Sequence, residues 1–243
     1  MEAQHSGIAA GVISLETGKV LVILNIDSAA DYLLRTESAA RTLLDGIGAY
    51  VALLKHAPLP VFGGSFSDEK VARIAFDHWS TKKDKRIQLS LKSQREFLAE
   101  SFALATLCGC LLQIAAKGIE WFSNNTDIPF DFGSVIKPSS SAVPFCIGRR
   151  VRGVPVGLVI FAGRNQFAHL NERELREPNA TIFERLAVNH RQTQTMEGHF
   201  KDPAFDLQNG QLVNFAGNVT GLLGWRNHDA YATDMRQLLG GEE

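Results

Sequence analysis

The chain has 243 residues, of which 45% are hydrophobic and 21% are charged, and this balance is ordinary for a soluble globular protein. Its formal net charge of −1 excludes the strong basic excess typical of proteins that bind long nucleic acids non-specifically. Any nucleic-acid contact must therefore be local or depend on a partner. From the length of the chain, we expect a single domain over residues 1–243.

No segment has the pattern of a secretion signal or of a comfortable membrane span. The amino terminus lacks a charged stretch followed by an apolar one. The longest apolar run, 102–116, is interrupted by Gln113 and is short for a bilayer. The cysteines Cys108, Cys110 and Cys146 lack metal-site spacing, and we interpret the first two as core residues. These patterns favour a cytoplasmic protein with no membrane partner, no metal and no other cofactor.

The chain begins with a predicted hairpin and a predicted helix. Residues 8–26 contain two runs rich in Ile and Val around a turn with glycine, which is typical of a β-hairpin. Ser28 is a plausible start for the helix that follows. We expect Gly46 and Gly48 to interrupt or bend this helix, and Pro58 to stop it.

A shorter helix completes the N-terminal helical region, 28–86. It is predicted to begin at Ser67, and its apolar residues are expected to point inward: Val71, Ile74, Ala75 and Trp79. The basic run at 82–86 is interpreted as a linker, which is either a solvated loop or a contact for an RNA backbone.

The remaining helices form a predicted helical core over 93–239. Its longest helix is expected to begin near Ser93, which has capping-box spacing with Glu96, and to end near residue 122. A loop over 124–143 precedes an apolar helix over 155–170. Further helices are predicted near 177–187, 211–223 and 227–239. The predicted fold is therefore mainly α, a helical bundle with a small amino-terminal β-hairpin.

Side chains suited to phosphodiester chemistry lie near the end of the 155–170 helix. Arg164 can hold a phosphate in fork geometry, and His169 can exchange protons near neutral pH. Five residues separate them, so they point about 140° away from each other on a helix. A composite site made by two copies of the chain fits this spacing better than a site on one copy.

This helix is apolar on two faces, and a helix of that kind is buried on both. One stripe contains Val156, Val159, Ile160, Gly163, Phe167 and Leu170. The second contains Leu158, Phe161 and Ala162 and leads to Asn165 and His169. The first stripe can pack into the bundle. The second needs another partner, for which a second copy of the chain is the candidate, and we therefore expect a homodimer.

The Arg–His spacing has a simpler interpretation. Two other pairs share it: Arg73 with His78, and Arg185 with His190. Of the three arginines in these pairs, only Arg164 is followed directly by a polar residue. On spacing alone, Arg164 and His169 are helix-end residues that are solvated or paired with Glu172 and Glu174.

The pattern of Arg164-Asn165 with His169 late in an apolar helix of a helical bundle resembles the HEPN superfamily. The resemblance covers roughly 93–239 and is strongest over 163–170, where a polar residue directly after the Arg belongs to the family motif. It implies a HEPN-like bundle. It also implies that Arg164 contacts the scissile phosphate, that His169 acts as acid or base, and that Asn165 orients His169 or the phosphate.

Many HEPN proteins are metal-independent endoribonucleases that act as dimers in toxin–antitoxin and defence systems. The resemblance thus implies an RNA substrate, attack by the RNA 2′-hydroxyl at a composite dimer site, and a possible antitoxin protein as partner. Two copies of His169 could divide the proton transfers, while Arg164 stabilises developing charge. We expect cleavage to survive chelator and to leave DNA intact.

A non-catalytic HEPN-type module, which dimerises and binds a nucleotide or a partner, is the alternative. Mild acidity and few candidate exposed aromatic residues fit it. Arg149, Arg150 and Arg152 could contact an RNA phosphate, a nucleotide or an acidic partner, or they are a solvated charge run. A metal hydrolase that uses His190 and His199 is a third class, although these two residues lack ligand-like spacing.

Overall fold

The computed structural model describes residues 26–54, 58–65, 68–169, 175–188, 201–208 and 214–240. These residues form seven α-helices and one two-stranded antiparallel sheet, which confirms the mainly α fold class. The predicted hairpin at 8–26 lies outside the described residues except for Ile26. The helices are α1 (Ala29–Leu53), α2 (Glu69–Ala99), α3 (Ser101–Phe122), α4 (Val156–Ala168), α5 (Asn179–Val188), α6 (Ala216–Leu223) and α7 (His228–Leu238), and the strands are β1 (Arg150–Val151) and β2 (Val154–Pro155).

Helix α1 is continuous through Gly46 and Gly48, so the predicted interruption was wrong, while the predicted bend stays a prediction. The Ser28 hydroxyl caps its start by accepting a hydrogen bond from the Asp31 backbone N–H at 3.1 Å, as the sequence predicts. A Cβ atom at Gly46 would lie 2.9 Å from Leu107 Cδ1 on α3, whereas one at Gly48 would meet nothing within 4 Å. Gly46 therefore permits a close approach of α1 to α3.

Residues 82–86, predicted to form a linker, lie within helix α2 instead. The Asp68 carboxylate caps the helix by accepting a hydrogen bond from the Val71 N–H at 2.9 Å, close to the predicted start. The helix then continues through the basic run, which contains neither Gly nor Pro and consists mostly of good helix formers. Ser93 is buried within α2, so the helix start predicted there was also wrong.

Little of α2 is buried. Only Ser90 and Ser93 of its 31 residues are buried, and no α2 residue belongs to the hydrophobic cluster formed by the described residues. Val71 and Ile74, predicted to point inward, are 46% and 62% exposed. An aromatic cluster of Phe62, Phe76 and Trp79 instead joins α2 to the segment 58–65.

The hydrophobic core surrounds α3 and α4. Helix α3 packs against α1, α4 and α6, and α4 also packs against α5 and α6. Leu111, Leu112 and Ile119 of α3 and Leu158 and Ile160 of α4 are fully buried. By length and composition, α3 is also the one described helix that could span a membrane, a test that soluble core helices pass as well.

The predicted loop at 124–143 is part of this core. It contains two short 3-10 turns, Phe130–Phe132 and Val143–Phe145, and the side chains of Phe132 and Phe145 are buried. The turn at Val143–Phe145 packs against both α3 and α4. A segment that lacks helical periodicity therefore still covers one side of α4.

Candidate functional site at the end of α4

The predicted second apolar stripe of α4 is covered within the chain. Leu158 and Ala162 are fully buried, and Phe161 is 6% exposed. The Phe161 ring packs against Phe145, with 5.0 Å between ring centroids. The prediction that this stripe needs a second copy was therefore wrong, because the segment after α3 folds back over it. The homodimer stays a prediction that the apolar faces of α4 do not support.

Arg164 has a guanidinium group with an unused donor. Its side chain is 25% exposed, and its Nη2 atom lies 4.0 Å from Glu120 Oε2 on α3. Its Nε atom is buried and has no hydrogen-bond acceptor among the described residues, a state shared only with the Tyr231 hydroxyl. Leaving a buried donor unpaired costs about 1–3 kcal/mol, so a movement of the side chain that brings this donor to an acceptor would be stabilising.

Three residues of α3 form a linked cluster, of which Glu120 lies 4.0 Å from Arg164, and no sequence motif predicted this cluster. Glu120 accepts a hydrogen bond from Lys117 Nζ at 2.8 Å. Lys117 Nζ also lies 5.4 Å from the centroid of the Trp121 ring, which is 53% exposed. Their helical spacing of three and four residues could have revealed this cluster.

Asn165 faces a different neighbour from this cluster, and His169 follows at the carboxyl end of α4. Asn165 Nδ2 lies 3.4 Å from Asn179 Oδ1 at the start of α5, and Asn165 is half-buried. The His169 backbone N–H donates to the Asn165 carbonyl at 3.0 Å, and its side chain is exposed. Arg164 thus faces α3 and Asn165 faces α5, so one chain directs the two side chains to different neighbours. Glu172 and Glu174 lie outside the described residues.

The arginines predicted as RNA-phosphate contacts each have a carboxylate partner. The pairs are Arg149 with Asp234 at 2.9 Å, Arg150 with Asp131 at 3.0 Å, and Arg152 with Asp202 at 2.6 Å. Arg149 also donates to the Leu223 carbonyl, and Arg152 to the Leu186 carbonyl. These guanidinium groups therefore fasten the β1–β2 hairpin, which leads into α4, to distant parts of the chain. An RNA phosphate at this place would have to compete with three ion pairs.

Ion pairing and burial shift several pKa values. The hydrogen bond from Arg150, with a further one from Arg185, holds the pKa of Asp131 below its usual value. Burial raises the pKa of Cys108, and it raises that of Cys146 to about 11. Cys110 is exposed, so the prediction that it is a core residue was wrong.

The described residues contain no group of three or more His, Cys, Asp or Glu side chains that could hold a metal ion. His190 and His199 lie outside those residues. No family model, curated protein or solved structure matches the chain. The HEPN resemblance therefore stays a prediction that depends on Arg164, Asn165 and His169 and on the order of the helices.

Proposed function

We propose that this chain is a metal-independent endoribonuclease of the HEPN type. The observation that carries the proposal is the Arg164 guanidinium, whose partly exposed end approaches Glu120 Oε2 only at 4.0 Å and whose Nε has no acceptor among the described residues, so the group can still take acceptors. A phosphate oxygen supplies such an acceptor, and Arg binds phosphate through two parallel hydrogen bonds. The exposed His169 lies little more than one helical turn further along the chain.

The proposed reaction needs two proton transfers. His169 of one copy removes the proton from an RNA 2′-hydroxyl, whose oxygen forms a bond to the adjacent phosphorus. The bond from phosphorus to the 5′-oxygen breaks, and His169 of a second copy donates a proton to that oxygen. The products are a 2′,3′-cyclic phosphate and a 5′-hydroxyl. Each positioned acid or base contributes roughly 10²–10⁴-fold.

Arg164 stabilises the negative charge that develops on the phosphate oxygens during this attack. Asn165, held near Asn179 of α5, orients His169 or the phosphate. Because Arg164 faces α3 while Asn165 faces α5, a symmetric dimer that presents each side chain twice supports the chemistry better than one chain does. The proposal includes a cytoplasmic toxin or defence role and an antitoxin protein as partner.

The test is cleavage of a labelled, structured RNA by the purified full chain in the presence of chelator. We expect a 2′,3′-cyclic phosphate product and no cleavage of the matching DNA, which lacks the 2′-hydroxyl. His169→Ala should slow cleavage by at least about 100-fold. Arg164→Lys should slow it as well, because Lys keeps the charge but loses the fork geometry.

His228→Ala is the control, since His228 is the first residue of α7, a helix that carries none of the proposed RNA-contacting residues. It should cleave at the wild-type rate. An inactive wild-type chain, or a His169→Ala variant as fast as wild type, would reject the catalytic assignment. Light scattering that shows only monomers at micromolar concentration would reject the composite site.

The second candidate is a non-catalytic module that dimerises and binds a nucleotide or partner. The carboxylate partners of Arg149, Arg150 and Arg152 favour it, because they make these arginines less available to RNA phosphates. It predicts a stable dimer and binding of a nucleotide that depends on Arg164, without RNA cleavage. Titration calorimetry with ATP, on wild type and Arg164→Ala, separates this candidate from the nuclease.

A further inference from the structure

Helix α2 concentrates positive charge in a chain whose net charge is −1. It contains eight Lys or Arg and four Asp or Glu residues, which is a formal charge of +4 and leaves −5 for the rest of the chain. The net charge of the whole chain does not show this separation of positive charge in α2 from negative charge elsewhere. Because the chain as a whole has no basic excess, a nucleic acid would have to bind at a locally basic surface, and α2 provides one.

Five exposed cations of α2 form what we call the basic face: Lys82, Lys85, Arg86, Lys92 and Arg95. Only Lys92 has a carboxylate within ion-pair distance among the described residues, namely Glu96 at 3.6 Å. At about 100° per residue, the three lysines fall within about 80° of one another, and the two arginines flank them. The face is roughly 20 Å long at the usual helical rise.

Aromatic side chains lie one turn before the basic face. Phe76 is 46% exposed, and its ring centroid lies 5.7 Å from that of Trp79. Cations that follow a backbone, together with aromatic rings on which bases stack, are the usual elements of single-strand binding. A membrane-binding helix would need a continuous apolar face, whereas four of the five exposed large apolar residues of α2 lie outside 82–95, which contains only Leu89; the others are Val71, Ile74, Phe76 and Leu98.

The basic face is also connected to the α4 end through α3. A single residue separates the end of α2 at Ala99 from the start of α3 at Ser101. A Cβ atom at Gly109 of α3 would collide with the Phe167 ring, so the carboxyl end of α4 packs in the amino-terminal half of α3. Gly109 lies roughly 12 Å along α3 from its start, and Arg86 lies roughly 20 Å along α2 before its end, so on the order of ten nucleotides span the path along the two helices.

We propose that the basic face of α2 binds the phosphate backbone of single-stranded RNA and holds the substrate for cleavage at the α4 end. This inference rests on the proposed nuclease function, but binding and cleavage can be measured separately. Three of the cations, Lys82, Lys85 and Arg86, contact phosphates directly. Phe76 and Trp79 offer a stacking surface for a base beside them.

The test measures binding of a labelled single-stranded RNA to the full chain by fluorescence anisotropy, across a series of KCl concentrations with chelator. All proteins carry His169→Ala, so that cleavage does not interfere. The test variant adds Lys82→Gln, Lys85→Gln and Arg86→Gln, because Gln keeps a high helix propensity. The control adds Lys137→Gln, Arg226→Gln and Arg236→Gln, which remove three exposed charges elsewhere.

The test variant should bind at least about tenfold more weakly at 100 mM KCl. The slope of log affinity against log salt should fall by about 2, since each phosphate contact on a single strand contributes about 0.7. The control should keep the slope of its parent. Circular dichroism should show the same helix content in both variants.

Equal affinity and slope for the test variant and the control would overturn the proposal, even if the wild type cleaves RNA. RNA binding that depends on the basic face, in a chain that cuts no RNA, would support the docking surface and reject the nuclease. Binding to phosphatidylserine vesicles that the test variant loses, without RNA binding, would overturn the proposal in favour of a membrane surface. The same pattern with polyglutamate would overturn it in favour of an acidic protein.

Discussion

Helices α4 and α2 have opposite relations to the rest of the chain. Nine of the 13 residues of α4 are buried, whereas α2 buries two of its 31. Contacts with α3, α5 and α6 hold α4 in place, so its end can keep polar side chains in a fixed position. Helix α2 depends more on helix propensity and capping and exposes a long charged surface. Neighbouring helices therefore hold the end of α4 in place, whereas α2 leaves its charged side chains exposed to solvent.

The largest expected difference between α4 and α2 is the loss in free energy of unfolding when a leucine side chain is truncated. Leu158→Ala in α4 should lower the free energy of unfolding by about 2–5 kcal/mol, because the side chain is fully buried and leaves a cavity. Leu89→Ala in α2 should cost less than about 1 kcal/mol, since Leu89 is 46% exposed. Urea unfolding of both variants measures the contrast. Equal losses would show that α2 packs as tightly as α4.

A proline in α2 tests whether the basic run is helical. Thr81→Pro removes a backbone donor and should cost the helix about 3 kcal/mol. Because α2 lies outside the hydrophobic cluster, we expect a loss of far-ultraviolet helical signal with little change in the melting of the rest of the chain. Thr81→Ala should retain the signal. An unchanged spectrum for Thr81→Pro would restore the linker interpretation.

Glycine substitutions test how closely the chain packs at the start of α4. A Cβ atom at Gly157 would collide with the Phe145 backbone carbonyl, so Gly157→Ala should cost about 1–3 kcal/mol. Gly48→Ala in α1 meets nothing within 4 Å and should stabilise by about 0.5–1 kcal/mol. Melting temperatures should therefore shift in opposite directions. A stabilising Gly157→Ala would contradict the packing of the 3-10 turn on α4.

The smallest expected effect concerns Asp131, which pairs with Arg150 of β1 and Arg185 of α5. Its pKa is lowered in the folded chain, so its contribution is present above its ordinary pKa of about 3.9 and disappears as pH falls through the lowered value. Asp131→Asn should cost no more than about 1 kcal/mol at pH 7. Unfolding of both proteins between pH 7 and pH 2 should show the difference vanish. A difference that persists at pH 2 would exclude an ionic cause.

Local patterns in the sequence predicted helix starts and the helix that carries the site. The Ser28 cap, the acidic start of α2 and the spans of α4 and α5 follow from neighbouring residues, and the structure confirms them. Two predictions failed because the residues concerned are compatible with two different local structures. The charge run at 82–86 suggested a loop although its residues favour helix, and Gly46 suggested a break although it serves close packing.

The polar partners of the site could not be predicted in the same way. Arg149 and Asp234 are 85 residues apart in sequence, and Arg152 and Asp202 are 50 apart. No periodicity links residues at such separations, so these arginines looked available for RNA. The coverage of Phe161 by Phe145 was missed for the same reason, and with it the argument for a dimer from the second stripe.

By itself, the sequence determined a mainly helical chain and the position of Arg164, Asn165 and His169 at the end of an apolar helix. Helical periodicity and capping act over a few residues and can therefore be seen in sequence. Only the tertiary structure decided that α4 is covered on both faces, that the three hairpin arginines are paired, and that α2 exposes its cations. These features depend on contacts between distant segments, which form only when the chain folds.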